Sequence, residues 1–418
     1  MIYQKLSKRQ LLAMTWWNRP KYKNRDALIC DGAIRSGKTL SMGVGFLLWS
    51  MSQFDGAVFG ICGKTIESLR RNVIIHLSDW VAGVLEITEK RAENKLIVTQ
   101  DGRTNVYYLF GGRDESSYTL IQGITLAGVF MDEVALMPRS FVEQAIARCS
   151  VAGSKFWFNC NPAGPEHWFY REWVCQREKH NALHLHFTMD DNLALAPAVK
   201  ARYETMYSGV FYERYILGRW VLAEGLIYDC FDKKKHVVAQ MPETTGDIYV
   251  SVDYGTLNPT VFLLWQRARG SEQWACLREY YYSGRDKQRQ KTDGDYADDM
   301  GNFLNGVKPR AIVVDPSAAS FIEELRRRGY PVQKADNAVL DGIRNVAELL
   351  QQDGLLFAPA CQHCFAEFGQ YIWDEKASGR GEDKPVKEHD HCMDAMRYFV
   401  NTILMRRRVR VSNRPRGF

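Results

Sequence analysis

The chain has 418 residues, of which 46% are hydrophobic and 25% charged, with a formal net charge of +6. This size and composition predict a globular protein of two or three domains, and no apolar run reaches the roughly 18 residues of a membrane span. The N-terminus lacks the apolar segment of a secretory signal, and the ten cysteines follow no disulfide framework. We therefore expect reduced thiols in a cytoplasm.

The first motif is a phosphate-binding loop at residues 32–39. Its sequence, Gly-Ala-Ile-Arg-Ser-Gly-Lys-Thr, is a complete match to GxxxxGK[ST]. The apolar run 27–30 before it favours a buried strand, and the apolar residues after Thr39 favour a helix. A strand, a turn and a helix in this order direct backbone N–H groups at a triphosphate. A chance glycine-rich turn is the weaker alternative.

This loop predicts an ATP site with distinct roles for its residues. Lys38 is expected to reach the β- and γ-phosphates, and the Thr39 hydroxyl is expected to hold Mg²⁺. The other predicted nucleotide contacts in the loop are Gly32, Arg35, Ser36 and Gly37.

A second apolar run, residues 126–131, ends in Asp132 and Glu133. Asp132 is expected to complete the Mg²⁺ shell, and Glu133 to orient and deprotonate the attacking water, because phosphoryl transfer depends on positioning and charge neutralisation. A third strand at residues 155–158 leads into Asn159-Cys160-Asn161-Pro162. Asn161 beside the nucleotide would sense the γ-phosphate, although Asn-Pro is also a common turn signal.

The pattern of apolar strands ends near residue 183. Residues 184–225 read as a small helical and aromatic subdomain, and residues 226–246 as a linker. We therefore predict an ATPase domain at 1–183, a small helical subdomain at 184–225, a linker at 226–246, a second sheet domain at 247–405 and a basic tail at 406–418. The tail suits a phosphate backbone or an acidic partner, or it is a solvated end.

The predicted elements after residue 247 follow the layout of ribonuclease H. Strands are expected at residues 248–255, 260–265, 274–282 and 311–315, with helices at 295–305 and 389–399. Carboxylates stand on the first strand, the fourth strand and the late helix, at Asp253, Asp315 and Asp394. Grouped carboxylates need cations, so we predict two Mg²⁺ or Mn²⁺ ions that activate a water and stabilise the leaving oxygen.

His391 lies three residues before Asp394, so both side chains can share one face of the late helix. The imidazole is a candidate metal ligand, proton carrier or phosphate partner.

Cys361 and Cys364 form a lone CxxC pair. A structural zinc site needs two further ligands, and no second CxxC supplies them. We therefore expect buried thiols at these positions.

A P-loop ATPase followed by a ribonuclease H-like nuclease resembles the large terminase subunit of tailed double-stranded DNA bacteriophages. The resemblance implies an α/β chain with a RecA/ASCE-like ATPase, a helical lid and a C-terminal nuclease, which cuts concatemeric DNA and pumps it with ATP into procapsids. It also implies that Arg35 acts as an arginine finger, unless a neighbouring subunit supplies one such as Arg148. The motifs that carry the resemblance are residues 32–39, 131–133, 159–162, 251–255, 313–316 and 390–398, with the segment 191–228.

The resemblance further implies partners and a place of action. The partners are double-stranded DNA, the portal protein of the procapsid, the small terminase subunit and further copies of the chain in a pentameric ring. The place is the host cytoplasm, transiently at the portal, with no membrane and no part in the mature virion. Gln10 is the candidate adenine contact, and Asp390 competes with Asp394 as the third acid of the nuclease.

Two other functions compete with this interpretation. A helicase or remodeller would carry a second RecA-like domain after residue 225, where this chain has predicted strands that end in aspartate residues. An ATP-regulated transposase or resolvase would join strands or cut junctions instead of translocating processively. A non-enzymatic scaffold would leave both sets of acids unexplained.

Overall fold

The computed structural model describes residues 5–239, 242–256 and 258–405, which form two compact units. The first unit contains the described residues up to Glu204 together with Val210–Leu222 and Gly379–Glu382. The second contains Thr205–Gly209, Ala223–Ser378 and the described residues from Asp383 onward. The predicted basic tail, 406–418, lies outside the described residues. Among the helices in the described ranges, none combines the length and the apolar content of a membrane span.

One mixed sheet forms the centre of the first unit. Its strands are β1 (Ala27–Gly32), β2 (Val58–Gly63), β3 (Glu86–Lys90), β4 (Lys95–Gln100), β5 (Arg103–Gly111), β6 (Gly128–Asp132), β7 (Lys155–Asn159) and β8 (Ala182–Phe187). Their order is β3-β4-β5-β2-β6-β7-β1-β8. Neighbours are parallel from β5 to β8, whereas β3 and β4 extend the sheet by antiparallel pairing. The carboxyl ends of β1, β6 and β7 therefore meet at one edge.

Helices before residue 212 surround this sheet or follow it in the chain. They are α1 (Lys8–Thr15), α2 (Lys38–Gln53), α3 (Ile66–Leu69), α4 (Ile75–Val81), α5 (Arg139–Ala147), α6 (Pro197–Met206) and α7 (Gly209–Phe211). Helix α2 lies against the sheet through Phe46, whose ring centroid is 5.8 Å from that of Phe59 on β2 and 5.9 Å from that of Trp157 on β7. Aromatic pairs of this kind contribute about 0.5–1.5 kcal/mol each beyond their burial. They fix α2, and with it the side chains of its first turn.

The strands expected around the phosphate loop are present as β1, β6 and β7. The sequence interpretation omitted β3, β4 and β5, and it was wrong about the start of the helical segment, because residues 184–187 complete strand β8. The sequence Ala-Leu-His-Leu-His-Phe of β8 alternates apolar and polar residues, which is the period of a strand.

The second unit has its own mixed sheet. Its strands are β9 (Thr244–Asp253), β10 (Thr260–Ala268), β11 (Trp274–Tyr282), β12 (Ala311–Val314), β13 (Val332–Lys334) and β14 (Leu355–Phe357), in the order β13-β12-β9-β10-β11-β14. Strands β9, β10 and β11 form an antiparallel meander, and β12 runs parallel to β9. The segment predicted as a linker, 226–246, contains a short helix and the first residues of β9.

The helices of this unit cover the sheet. They are α8 (Lys233–His236), α9 (Asp293–Leu304), α10 (Ala319–Arg327), α11 (Val339–Gln351), α12 (Gln362–Phe368), α13 (Glu375–Ser378) and α14 (His391–Phe399). Helix α14 packs on β9 and β10, where the Phe399 ring stacks on Trp265 at 4.7 Å between centroids. The predicted order of three strands, a helix, a strand and a late helix is therefore observed. This packing holds the start of α14 near the end of β9.

Candidate functional site

The phosphate loop joins β1 to α2 and depends on two glycines. Gly32 has φ +124° and Gly37 has φ +83°, both in the region that side chains disfavour. A Cβ on Gly32 would lie 2.0 Å from the carbonyl oxygen of Phe187 on β8. Gly37 is the residue that caps the N-terminus of α2. The loop therefore turns at Gly32 and enters the helix at Gly37, as the motif predicts.

Lys38 is buried at the start of α2, and burial lowers the pKa of its ammonium. Its Nζ donates to the carbonyl oxygens of Gly32 (3.0 Å) and Ala33 (2.6 Å) and to Oδ1 of Asn161 (3.1 Å). The buried Ser36 hydroxyl also donates to the Ala33 carbonyl, at 2.9 Å. The loop carbonyls and the predicted sensor Asn161 thus hold one cation at the edge of the sheet.

Thr39 and Asp132 meet at this edge, as their predicted roles require. The Thr39 hydroxyl donates to Oδ1 of Asp132 at 3.2 Å. The amide nitrogen of Asn159, at the end of β7, donates both to Thr39 Oγ1 (2.7 Å) and to Asp132 Oδ1 (2.5 Å). The sequence interpretation assigned no role to Asn159, although it stands two residues before Asn161.

The electrostatics of this group match a hard divalent cation. Burial, together with the neighbouring charge of Glu133, raises the pKa of Asp132 to about 7. The carbonyl oxygen of the Asn159 side chain is buried without a hydrogen-bond partner among the described residues. Hydroxyl, carboxylate and amide oxygens are the ligands that Mg²⁺ takes. The residues present therefore fit the ion that the sequence predicts here.

A cavity of about 470 Å³ lies over the loop. Glu133 lines it from the turn after β6, with φ +59°, an uncommon backbone angle for a side-chain-bearing residue. Asn72 and His76 also line it. A volume of this order suits a small-molecule ligand. Arg148, the alternative arginine, caps the C-terminal end of α5 and is not among the residues that line this cavity.

Gln10 contacts the loop from α1, whereas Arg35 is part of the loop. Gln10 is buried in α1, where its Oε1 accepts from the Ser7 N–H at 2.9 Å and its Nε2 sits against Gly37, 2.2 Å from where a Cβ would stand. Arg35 is exposed, and its Nε donates to the Tyr203 hydroxyl of α6 at 2.8 Å. Its guanidinium carbon lies 5.4 Å from the Tyr203 ring centroid. The structure thus connects Arg35 with α6.

A buried carboxylate beside the loop was missed at the sequence level. Asp31, on β1 directly before Gly32, is 1% exposed and is hydrogen-bonded to His184 Nε2 (2.9 Å) and His186 Nδ1 (2.9 Å) of β8 and to Trp220 Nε1 (2.7 Å). Burial opposes its ionisation, but these hydrogen bonds hold the pKa of Asp31 below its usual range. Two sequence signals could have revealed it, namely an acid within an apolar strand and a His-x-His pair on another strand.

The acids of the second unit also come together. Asp253 is the last residue of β9, and the register that pairs Val314 with Val252 brings Asp315, directly after the neighbouring strand β12, close to it. His391 Nδ1 lies 2.9 Å from Oδ2 of Asp253. The Tyr398 hydroxyl of α14 donates to Oδ2 of Asp315 at 2.7 Å. Helix α14 is therefore bonded to both strand-end acids.

Asp394 and Asp390 stand at the start of the same helix. Arg397 Nη2 lies 2.9 Å from Oδ1 of Asp394, and Lys387 Nζ lies 3.6 Å from Asp390 Oδ2 and 3.7 Å from Asp394 Oδ2. Both acids are buried. The geometry leaves both as candidates for the third acid, so this choice stays a prediction.

Mutual repulsion shapes the charges of this group. Burial raises the pKa of Asp253 to about 6, the His391 hydrogen bond opposes the rise, and Asp394 adds to it. Burial and Asp394 likewise raise the pKa of Asp390. Burial opposes protonation of His391, but its bond with Asp253 raises its pKa overall. Carboxylates that destabilise one another in this way are the donor set that divalent cations stabilise.

Comparison with known proteins extends these observations. Residues 29–235 match the family described as "Terminase large subunit, T4likevirus-type, N-terminal", and residues 260–402 match "Terminase RNaseH-like domain". The chain is 26% identical to the large terminase subunit of Escherichia phage T5 over 194 residues, which cover 43% of this chain and 42% of that protein.

A solved structure agrees over almost the whole chain. The large terminase of a thermophilic bacteriophage is 54% identical, with a TM-score of 0.93, and the match covers 96% of this chain and 100% of that one. A second structure of the same thermophilic phage protein, in complex with ATP-gamma-S, is 52% identical with a TM-score of 0.90 and the same coverage.

Proposed function

The chain belongs to the family of phage large terminase subunits, which combine an ATPase and a nuclease in one polypeptide, and we propose on that basis which of its residues carry out the steps of DNA packaging. It hydrolyses ATP to translocate double-stranded DNA into a procapsid, and it cuts that DNA with a metal-dependent nuclease. The observation that carries the proposal is the pairing of two acid sets in one chain. Asp132 and Glu133 stand at the phosphate loop, and Asp253, Asp315 and Asp394 stand in the ribonuclease H-like unit.

The division of the chain follows these sites. We assign ATP hydrolysis to residues 1–183 together with residues 184–187, which complete β8. We assign a lid to the other residues of 184–225, a linker to 226–246, the nuclease to 247–405 and a basic tail to 406–418. The relative from the thermophilic phage has been seen with ATP-gamma-S, which supports a triphosphate as the ligand of the first unit.

In the ATPase site each residue has a separate task. ATP supplies the bond that is cleaved, and Mg²⁺, when bound, neutralises phosphate charge. Lys38 binds the terminal phosphates, and Thr39 and Asp132 hold the metal, oriented by the Asn159 amide. Glu133 orients the attacking water and takes its proton.

Three further residues adapt the site to movement. Gln10 contacts the adenine from α1, and Asn161, bonded to Lys38, senses the terminal phosphate. Arg35 stabilises the negative charge of the transition state, because only the guanidinium of arginine is rigid, planar and always charged. Its bond to Tyr203 of α6 supports a link between hydrolysis and the predicted lid.

In the nuclease site Asp253, Asp315 and Asp394 hold two Mg²⁺ or Mn²⁺ ions. When bound, such a pair supplies the positive charge that activates a water and stabilises the leaving oxygen. His391 positions the Asp253 carboxylate and carries a proton at Nδ1. Asp390 lies beside this group and contributes negative charge.

Membership of the family supports a set of partners. We propose double-stranded DNA, the portal protein and the small terminase subunit as partners, with the chain acting as a pentameric ring on the portal. The place of action is the host cytoplasm, and the protein leaves before the virion matures.

A packaging assay tests this function. ATP hydrolysis is measured with and without DNA and purified procapsids, and packaged DNA is scored by its protection from an added nuclease. We expect both DNA and procapsids to stimulate hydrolysis, and Lys38→Ala to abolish protection. An ATP hydrolysis rate that does not change when procapsids are added, with no protected DNA, would contradict the motor function. Joining of DNA strands would favour the transposase alternative.

A further inference from the structure

Four cysteines gather beside α14 in the second unit. Cys361 and Cys364, the lone CxxC of the sequence, meet Cys276 of β11 and Cys392 of α14, and all four are buried. The Sγ atoms of Cys276 and Cys361 are 3.7 Å apart. The neighbouring Cys364 thiol adds to the rise in pKa that burial causes at Cys276 and Cys392. The pair that is alone in the sequence is therefore not alone in the fold.

The compact part of this group includes a carboxylate. One oxygen of Glu279 and the Sγ atoms of Cys364 and Cys392 all lie within 4.8 Å of one another. The Glu279 side chain is 6% exposed. Metal–sulfur bonds of about 2.3 Å and metal–oxygen bonds of about 2.0 Å place tetrahedral ligands roughly 3.5–3.8 Å apart. Small side-chain movements therefore suffice to close these three atoms around one ion.

We propose that Glu279, Cys364 and Cys392 bind a structural zinc ion, with the Cys276 thiol as the fourth ligand. Thiolates select zinc, whereas the all-oxygen groups at the two catalytic sites select Mg²⁺ or Mn²⁺. Binding releases the thiol protons to solvent, because the thiolate is the ligand. Zinc binding at this site needs neither nucleotide nor DNA.

The surroundings orient the carboxylate as a metal ligand requires. Glu279 Oε1 lies 2.8 Å from both the backbone nitrogen and Nδ1 of His363, and its Oε2 accepts from the Cys364 N–H at 3.1 Å. The His363 ring stacks on Tyr281 with centroids 4.0 Å apart. Hydrogen bonds and stacking of this kind fix a ligand before the ion arrives.

The consequence for the nuclease is positional. Cys392 directly follows His391, and its backbone N–H donates to Oε2 of the buried Glu367 at 2.6 Å. An ion at Cys392 would tie the first turn of α14 to β11 and α12. It would thereby fix the helix that carries His391 and Asp394.

Metal analysis of the full chain tests the site. Protein purified from zinc-supplemented cells is dialysed against metal-free buffer, and its zinc is measured by plasma mass spectrometry. We expect about one tightly held zinc ion per chain. Replacement by Co²⁺ should produce the thiolate charge-transfer and visible bands of a tetrahedral site. Cys364→Ser and Cys392→Ser should lose both signals, whereas Cys175→Ser, at an exposed cysteine of the first unit, should keep them.

Two further measurements keep the test decisive if these variants fold poorly. In the wild-type chain, a mercurial reagent should release zinc to a colorimetric chelator, and Glu279→Gln, which keeps the side-chain size, should hold zinc more weakly. Wild-type protein with no zinc above the buffer level would overturn the proposal. So would full zinc content in Cys364→Ser and Cys392→Ser, or a Cys276–Cys361 disulfide in a metal-free chain.

Discussion

Asn159→Ala measures how far the metal ligands of the ATPase site depend on one amide. The change removes two hydrogen bonds, one to the Thr39 hydroxyl and one to the Asp132 carboxylate. A neutral hydrogen bond contributes about 0.5–1.5 kcal/mol, and one to a charged group about 1.5–3 kcal/mol. The sum, about 2–4.5 kcal/mol, corresponds to a fall in kcat/KM for ATP of roughly 30- to 2,000-fold if both act in the transition state.

Phosphate release by the full chain over a range of ATP concentrations gives kcat/KM, and plasmid cleavage by the same preparation shows that the second unit is intact. Asn72→Ala is the matched control, because Asn72 lines the same cavity without contacting Thr39 or Asp132 through any hydrogen bond recorded in the described residues. An Asn159→Ala protein that hydrolyses ATP within about twofold of wild type would refute the reasoning.

Four other changes have equally definite outcomes. Glu133→Gln should keep nucleotide binding while turnover falls about 10²-fold, and equilibrium binding beside steady-state hydrolysis separates the two. Arg35→Lys should keep ATP affinity but lose most turnover; unchanged turnover would move the finger to a neighbouring subunit. Asp253→Asn should abolish plasmid cleavage while ATP hydrolysis survives, with Mg²⁺ or Mn²⁺ supporting wild-type cutting and Ca²⁺ little; full cutting by the variant would disprove the metal assignment. Trp220→Phe removes a donor to buried Asp31 and should lower the free energy of unfolding by about 1.5–3 kcal/mol, and an unchanged denaturation midpoint would contradict this.

The sequence predicted the order of elements better than their extent. Motifs with fixed spacing, such as the phosphate loop, identified β1 and α2, and apolar runs ending in acids identified β6, β9 and β12. Strand β3 escaped because three of its five residues are charged and none is buried, and strand β4 carries no chemical motif. Residues 184–187 of β8 were assigned to the helical segment, although their alternation of polar and apolar side chains is the period of a strand.

Long-range partners account for what the sequence could not supply at the sites. Asp31 reads as one more residue of a strand until His184 and Trp220, more than 150 positions later, supply its hydrogen bonds. The CxxC pair likewise gains Glu279 and Cys392 only through the fold. Contacts of this kind depend on which strands and helices become neighbours, and single-sequence patterns carry no record of that.

The first glycine of the phosphate loop has a consequence for genetic screens. Gly32 faces the Phe187 backbone so closely that any side chain would collide with β8. A substitution there would therefore separate two parallel strands before it disturbed a phosphate. A collection of packaging-defective phages should contain Gly32 alleles, and the amount of the protein in those phages should fall as the temperature is raised. Alleles of Lys38 should instead give normal amounts of an inactive protein.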